Sequence, residues 1–340
     1  MKVLFFDTTQ AFLTPGGKTV HALKLHQELS LLGVDVEFAR WWDESQKDFD
    51  LIHFFSASNS SMIQVAKSKG KKILLTHIMD YETNKSSNEK RKAKIKIKLL
   101  RKLPSFFQSK FDWFHLPLFD HIVYMHGYDQ RTALEYYTNI DAEKTSVIPH
   151  AYDPGDMNIG DAVSLNIVLP EKYLISCGTI SERKQSLLLA RLAKEAKVPV
   201  VFVGSYRDTD PYYQSFIKEV DNKYVFYLGY VNAQVKDYVE SRAAGFVLLS
   251  SGESGCIAVY EAAAYHLPLL LSNLPWAWGY ENPTEIYFCD YQYREKAIKQ
   301  LADFFEVGKK LDAPPFTVNS WSVIAGRYKK CYERLLGINT

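Results

Sequence analysis

Short, unbroken apolar runs alternate along this chain with longer segments of helical period. In the first half the runs cover residues 2–7, 34–38, 50–55, 72–77 and 120–125; in the second, 173–178, 200–206, 224–231, 246–249 and 269–272. Runs of this length without two-residue alternation predict strands buried on both faces, as in parallel sheets. Between them, residues 19–32 place Val20, Leu23, Leu25, Leu29 and Leu32 at helical spacing, and residues 130–137 and 186–196 also read as helices. Strand and helix in alternation predict βαβ units, and their repetition predicts an α/β protein of two Rossmann-like domains with parallel sheets. A chain of 340 residues is long enough for two cores. Pro154, Gly155 and Gly160 have linker composition. The boundary is therefore set near 160, giving domains 1–160 and 161–315 and a terminal amphipathic segment, 316–340.

The densest chemistry lies in residues 246–273, FVLLSSGESGCIAVYEAAAYHLPLLLSN. Phe246–Leu249 reads as a strand, Glu253-Ser254-Gly255 as a small, flexible turn, and Ile257, Tyr260, Glu261, Ala264 and Tyr265 recur at helical steps from about Cys256. A glycine loop feeding a helix N-terminus offers N–H groups and partial positive charge, which suits a phosphate. Glu253 and Glu261 bracket this anion site. They read either as solvated surface acids or as acceptors for the hydroxyls of a sugar.

Other stretches add candidates. Gly16-Gly17-Lys18 opens the first helix and allows close backbone approach, but completes neither a dinucleotide fingerprint nor a P-loop. His77 and Asp80 follow a strand and point to the ligand edge of a parallel sheet, whereas His53 reads as core. Residues 85–114 concentrate Lys and Arg and end in Phe106, Phe107, Phe111, Trp113 and Phe114. On a helix Ile95, Leu99 and Leu103 share one side. That is the profile of an interfacial helix on anionic lipid, the alternative being a solvated loop.

Composition narrows the classes. A net charge of +2 gives no bulk electrostatic case for nucleic acid. Cys177, Cys256, Cys289 and Cys331 lie far apart without metal-binding spacing, which fits a reducing compartment. The N-terminus, MKVLFFDTTQ, is too short an apolar run for a signal peptide, and no stretch suits a membrane span.

The motif from Glu253 to Glu261, with His-Leu-Pro-Leu-Leu-Leu-Ser after it, resembles the E-x7-E signature of retaining nucleotide-sugar glycosyltransferases of GT-B fold, family 4 (group 1). This chain has Ser250-Ser251 where the family has Pro-Ser, and Ser254-Gly255-Cys256 where it has Gly-Phe-Gly. Residues 144–153 resemble the family's VIPNGVD segment, with His150 in place of Asn. Gly178 to Lys184 resembles its Gly-Arg-Leu-Ser-x-Glu-Lys loop, with Thr179 at the Arg position and Arg183 as the substitute cation.

The resemblance implies two domains facing each other across a cleft, with the terminal segment packing back on the first. It gives the diphosphate to Arg183, Lys184 and the N–H groups around Cys256, Ile257 and Ala258. It gives the ribose to Glu261 and the donor sugar to Glu253 and Ser254, and sets His77 near the anomeric carbon. Gly178, Gly204 and Tyr230 wall the nucleotide pocket, while Gly16, Gly17 and Lys18 face phosphate and acceptor. The implied activity is metal-independent, retaining hexosyl transfer from a nucleotide-diphosphate sugar to a glycan or lipid-linked acceptor, with no cofactor. The implied setting is cytoplasmic, peripheral on the inner membrane face, in cell-surface polysaccharide synthesis. A GT-B nucleotide-sugar epimerase and a non-catalytic nucleotide-sugar or lipid-binding protein remain alternatives.

Overall fold

The structure, a computed structural model, describes residues 1–7, 16–40, 42–55, 60–79, 82–137, 139–154 and 168–338. Asp80, Pro15 and the linker residues Gly155 and Gly160 lie outside them. The chain forms two compact units, residues 1–151 with 319–340, and residues 152–318.

The first unit is built on six parallel strands: β1 (Lys2–Phe6), β2 (Asp35–Phe38), β3 (Leu51–Phe54), β4 (Lys72–His77), β5 (His121–Tyr124) and β6 (Thr145–Val147). Their order is β2-β1-β3-β4-β5-β6. Acids at two strand starts accept ladder N–H groups. Asp50 accepts the Lys2 N–H at 2.7 Å, and Asp120 accepts the Ile73 N–H at 2.9 Å. Helix α1 (Gly17–Leu31) starts two residues earlier than its pattern predicts and buries Leu25 and Leu29 on one face of the sheet. On the other face Phe54, Leu75 and Phe119 form a second core, which α2 (Ser60–Ser68) covers through Ile63.

Helix α3 (Ser87–Leu100) opens on a capping box between Ser86 and Glu89. Ala93, Ile97 and Leu100 pack on the second core, while Ile95, Leu99 and Leu103 are exposed. The apolar side read from the sequence is thus the outer one. Short helices α4 (Ser105–Gln108) and α5 (Asp112–His115) follow; Phe106 and Phe107 are exposed, but Trp113 is buried. Helix α6 (Gly127–Tyr136) leads into β6.

The second unit contains β7 (Leu174–Cys177), α7 (Ser186–Ala196), β8 (Val200–Val203), α8 (Pro211–Ile217), β9 (Val225–Tyr227), α9 (Ala233–Arg242), β10 (Gly245–Leu248), α10 (Ile257–Ala264), β11 (Leu269–Ser272), β12 (Ile286–Cys289) and α11 (Arg294–Val307). All its strands are parallel, in the order β12-β11-β10-β7-β8-β9. That is the doubly wound arrangement, and its order reverses between β7 and β10. One core gathers Phe246, Leu248, Leu269, Leu271, Val259 and Trp276, and the other Val247, Leu249, Leu270, Leu189 and Phe202. Alternate residues of β10 and β11 thus face opposite layers, as their unbroken apolar runs require. The sequence reading had no counterpart for β12 and α11, although Ala297, Leu301 and Phe304 bury a stripe at helical spacing.

The chain returns to the first unit as α12 (Trp321–Leu336), capped by Ser320 and packed on α1. Its tyrosines complete a buried polar chain. His53 Nδ1 lies 2.8 Å from the Tyr332 hydroxyl and its Nε2 2.7 Å from Thr76 Oγ1, which is 3.0 Å from the Tyr328 hydroxyl. Tyr328 then meets His21, and His21 meets His150 at 3.1 Å. These partners satisfy polar groups that would otherwise be costly to bury. Among the described residues, no helix is long and apolar enough to cross a membrane.

Candidate functional site

The switch point of the second sheet brings two loops together. One leaves β7 through Gly178 and ends in Arg183-Lys184-Gln185, where Gln185 takes a left-handed conformation (φ 54°) before α7. The other leaves β10 and runs from Ser250 to Cys256. A backbone bond and a side-chain bond join them: Ser251 N–H donates to Arg183 O at 2.8 Å, and Arg183 Nη1 donates to Gly252 O at 2.8 Å. The second loop is not the flexible turn its composition suggests, since Gly252 to Cys256 are buried. Ser250 anchors it, its carbonyl accepting from Ser272 Oγ at 2.7 Å and Trp276 Nε1 at 3.0 Å. Gly255, at φ 61°, supplies the left-handed residue that turns the chain toward α10. Cys256 is the N-cap of α10 and makes no side-chain capping bond, so the first turn's N–H groups gain no cap from it.

Charge is concentrated here. Glu253 lies between two cations, with Oε2 2.7 Å from Arg183 Nη1 and Oε1 2.7 Å from Lys184 Nζ. The Glu253 and Lys184 side chains are 7% and 10% exposed, whereas Arg183 is 46% exposed. Burial alone would raise the Glu253 pKa, but the Lys184 and Arg183 charges outweigh it and hold the carboxyl below its ordinary range. Burial pulls Lys184 down, while Cys256 and Glu253 push it up by more. Lys184 Nζ also lies 3.5 Å from Cys256 Sγ, whose thiol is pushed up to about 11 by burial and then by Glu253. The result is a buried carboxylate clamped by two cations beside a helix N-terminus.

Glu261 belongs to a separate cluster. It lies on α10, is 9% exposed, and its Oε1 is 2.6 Å from Lys236 Nζ of α9. Behind this pair Glu240 is fully buried, accepting from Cys177 Sγ at 3.2 Å. Burial, then the charge of Glu261, raises the Glu240 pKa. Neither glutamate of the motif is the solvated surface acid that one reading of the sequence allowed. Lys236 and Glu240 escaped that reading because an i,i+4 Lys–Glu spacing resembles an exposed helix pair. Only the fold turns it inward.

The remaining candidates divide by unit. Thr179 Oγ1 is 3.0 Å from Ser205 Oγ, and Ser254 and Ala258 flank Gly255 and Ile257 in the loop and first turn. Gly204 is required by close packing. A β-carbon there would lie 2.0 Å from the Gly178 carbonyl oxygen, and its φ is 153°. Tyr230, expected as a pocket wall, is 81% exposed, while Tyr206 stacks on Tyr213 at 4.2 Å. In the first unit, His77 ends β4, and its Nδ1 is buried with no hydrogen-bond partner among the described residues. Gly16 and Gly17 start α1, and Lys18 pairs with Asp7 after β1 at 2.8 Å. Among the described residues, no group of three or more His, Cys, Asp or Glu is arranged to hold a metal ion.

Residues 161–313, which include both clusters, match the family model of glycosyl transferases group 1. No curated protein matches the chain. Among solved structures, the chain is similar to a sucrose-phosphate synthase from Thermosynechococcus elongatus, with TM-score 0.71, 13% identity, and 99% of this chain and 100% of that one covered. It is also similar to Anabaena HepE in complex with UDP and glucose, with TM-score 0.62, 11% identity, and coverage of 100% and 97%. The third is AviGT4, a glycosyltransferase involved in avilamycin A biosynthesis, with TM-score 0.59, 16% identity, and coverage of 99% and 98%. At these identities the likenesses establish the fold, a GT-B fold of two Rossmann-like domains, and the match to the group 1 glycosyl transferase model lies over residues 161–313, in the second unit.

Proposed function

We propose that the protein is a retaining glycosyltransferase moving a hexose from a nucleotide-diphosphate sugar to a glycan or lipid-linked acceptor in cell-surface polysaccharide synthesis. The observation that carries this reading is Glu253, buried and clamped by Arg183 and Lys184 beside the first turn of α10 at the sheet's switch point. An arriving diphosphate competes with Glu253 for both cations, which lets the carboxylate turn to the hydroxyls of the donor sugar. The same cations then stabilise the departing nucleoside diphosphate without a metal. Glu261 receives the ribose. His77 serves the acceptor side, with Gly16, Gly17 and Lys18.

The segment 85–114 supports an acceptor held at an anionic membrane. On α3 the exposed Ile95 and Leu99 lie among lysines, and exposed Phe106 and Phe107 follow on α4. Such a surface combines electrostatic attraction with shallow apolar insertion.

The test is thermal stabilisation by UDP-, GDP-, ADP- and CMP-sugars, with sugar turnover followed in parallel, for wild type and Glu261→Ala. A donor at about 100 times its Kd adds roughly 2.7 kcal/mol to the wild type. One nucleotide series is expected to stabilise the wild type and not the variant. Donor converted without acceptor identifies an isomerase, and binding without consumption identifies a binding protein. No shift with any donor refutes the proposal.

A further inference from the structure

We infer that Lys236 is a positioning residue that holds Glu261 for a ribose diol, so that the site selects ribonucleotide over 2′-deoxyribonucleotide donors. The inference rests on the donor-site reading above and extends it to a residue outside the motif.

Lys236 Nζ takes Glu261 Oε1 at 2.6 Å, and Oε2 has no hydrogen-bond partner among the described residues. One oxygen is fixed by a cation and the other is left to accept. The ammonium is itself held in place: it lies 5.7 Å from the Tyr152 ring centroid, and Tyr152 donates to Asp237 at 2.9 Å. Lys236 and Glu240 stand one turn apart on α9, so the ammonium that pairs with Glu261 also acts on Glu240 through its charge. Glu240 is fully buried with Oε2 unpartnered, so it repels Glu261 whenever it is charged. Without Lys236, Glu261 would face that neighbour alone and swing toward water, which removes the fixed acceptor.

A carboxylate oriented this way accepts O–H donors from both ribose hydroxyls. A site built to bond a hydroxyl discriminates strongly against the analogue that lacks it, because its own polar atom is left unpaired. One such bond to a charged group corresponds to a preference of about 30-fold.

The experiment is calorimetric titration of wild type, Lys236→Met and Lys236→Arg with whichever of UDP, GDP or ADP binds the wild type best, and with its 2′-deoxy counterpart. The wild type is expected to prefer the ribonucleotide by about 30-fold. Lys236→Met should bring both ligands to the affinity of the deoxynucleotide, and Lys236→Arg should restore the preference. A Lys236→Met protein that keeps the wild-type preference overturns the proposal, as does a wild type without one. Should Lys236→Met fail to fold, Lys236→Gln replaces it under the same criterion. A wild type that binds none of the three diphosphates refutes the donor-site reading itself. Binding with an unmoved ratio refutes only the role of Lys236.

Discussion

Replacing Glu253 by alanine separates the two jobs assigned to the charge cluster. In the free protein the change leaves Lys184, 10% exposed, without its carboxylate partner. Breaking a buried pair by removing one member costs about 3–5 kcal/mol. Arg183 adds little, because at 46% exposure solvent screens its pair with Glu253. In a domain of this size that loss lowers Tm by about 10 °C. Ligand binding should move the other way. In the wild type a diphosphate must displace Glu253 from the cations, and in the variant it meets them unopposed. Recovering one charge-assisted bond is worth about 1.5–3 kcal/mol, so the nucleoside diphosphate should bind at least about tenfold tighter. The hexose of the full donor should then add no affinity, because its carboxylate is gone. Differential scanning fluorimetry gives the first quantity, and calorimetry with nucleoside diphosphate and nucleotide-sugar gives the second. A variant with lower Tm that also binds the diphosphate more weakly would refute the reasoning, since Glu253 would then be scaffold alone.

Three further outcomes follow from the geometry. Gly204→Ala sets a β-carbon 2.0 Å from the Gly178 carbonyl oxygen at a φ of 153°. It should destabilise the second unit by more than about 3 kcal/mol, as in the severe class of backbone substitutions, and denaturant unfolding measures it. In the first unit, burial holds His21 at about 3 and His126 at about 4, and keeps His53 well below its ordinary value. The unfolded chain takes up these protons near pH 6.5 and the folded one does not, so stability falls as pH drops below 6.5. Each histidine loses about 2 kcal/mol by pH 5. Eight of the nine histidines lie in the first unit, so hydrogen exchange at pH 5 against pH 7 should show it opening first; equal protection would refute the account. Finally, vesicles containing anionic lipid should retain the wild type in low salt and release it in high salt. Leu99→Asp with Phe106→Asp should abolish retention while nucleotide binding stays intact, and retention by that variant would sink the membrane proposal.

What the sequence disclosed depends on how local the signal was. Buried parallel strands announce themselves as apolar runs, so β1, β4, β10 and β11 could be read within a residue or so of their ends. Glu253 and Glu261 were legible because a glycine turn between strand and helix has few other readings. Arg183 and Lys184 were legible through the resemblance of their loop. On α3 the side read as lipid-facing, with Ile95 and Leu99, is the exposed one, but the sequence reading missed the inner stripe of Ala93, Ile97 and Leu100 that meets the core, because lysines alternate with those residues. Lys236 and Glu240 were illegible in principle, since four-residue spacing is the same for a surface pair and a buried one.

These residues also explain why the free site is stable while holding so much charge. Each motif glutamate has a cation at hydrogen-bond distance, Glu253 with Arg183 and Lys184, and Glu261 with Lys236. Glu253 is thus held by both of its cations, and a ligand reaches those cations only by sharing or replacing an ion pair. A neutral sugar can do neither, because hydroxyls cannot stand in for a carboxylate beside two cations. A diphosphate can, since it brings more negative charge than the Glu253 it displaces. The arrangement therefore predicts an order of recognition, in which the diphosphate opens the Glu253 clamp and only then gives the hexose its acceptor. Free hexose should show no measurable binding to the protein alone, and should bind once nucleoside diphosphate is present. Hexose binding of equal strength with and without the diphosphate would break this coupling, and with it the reading of Glu253 as a switched carboxylate.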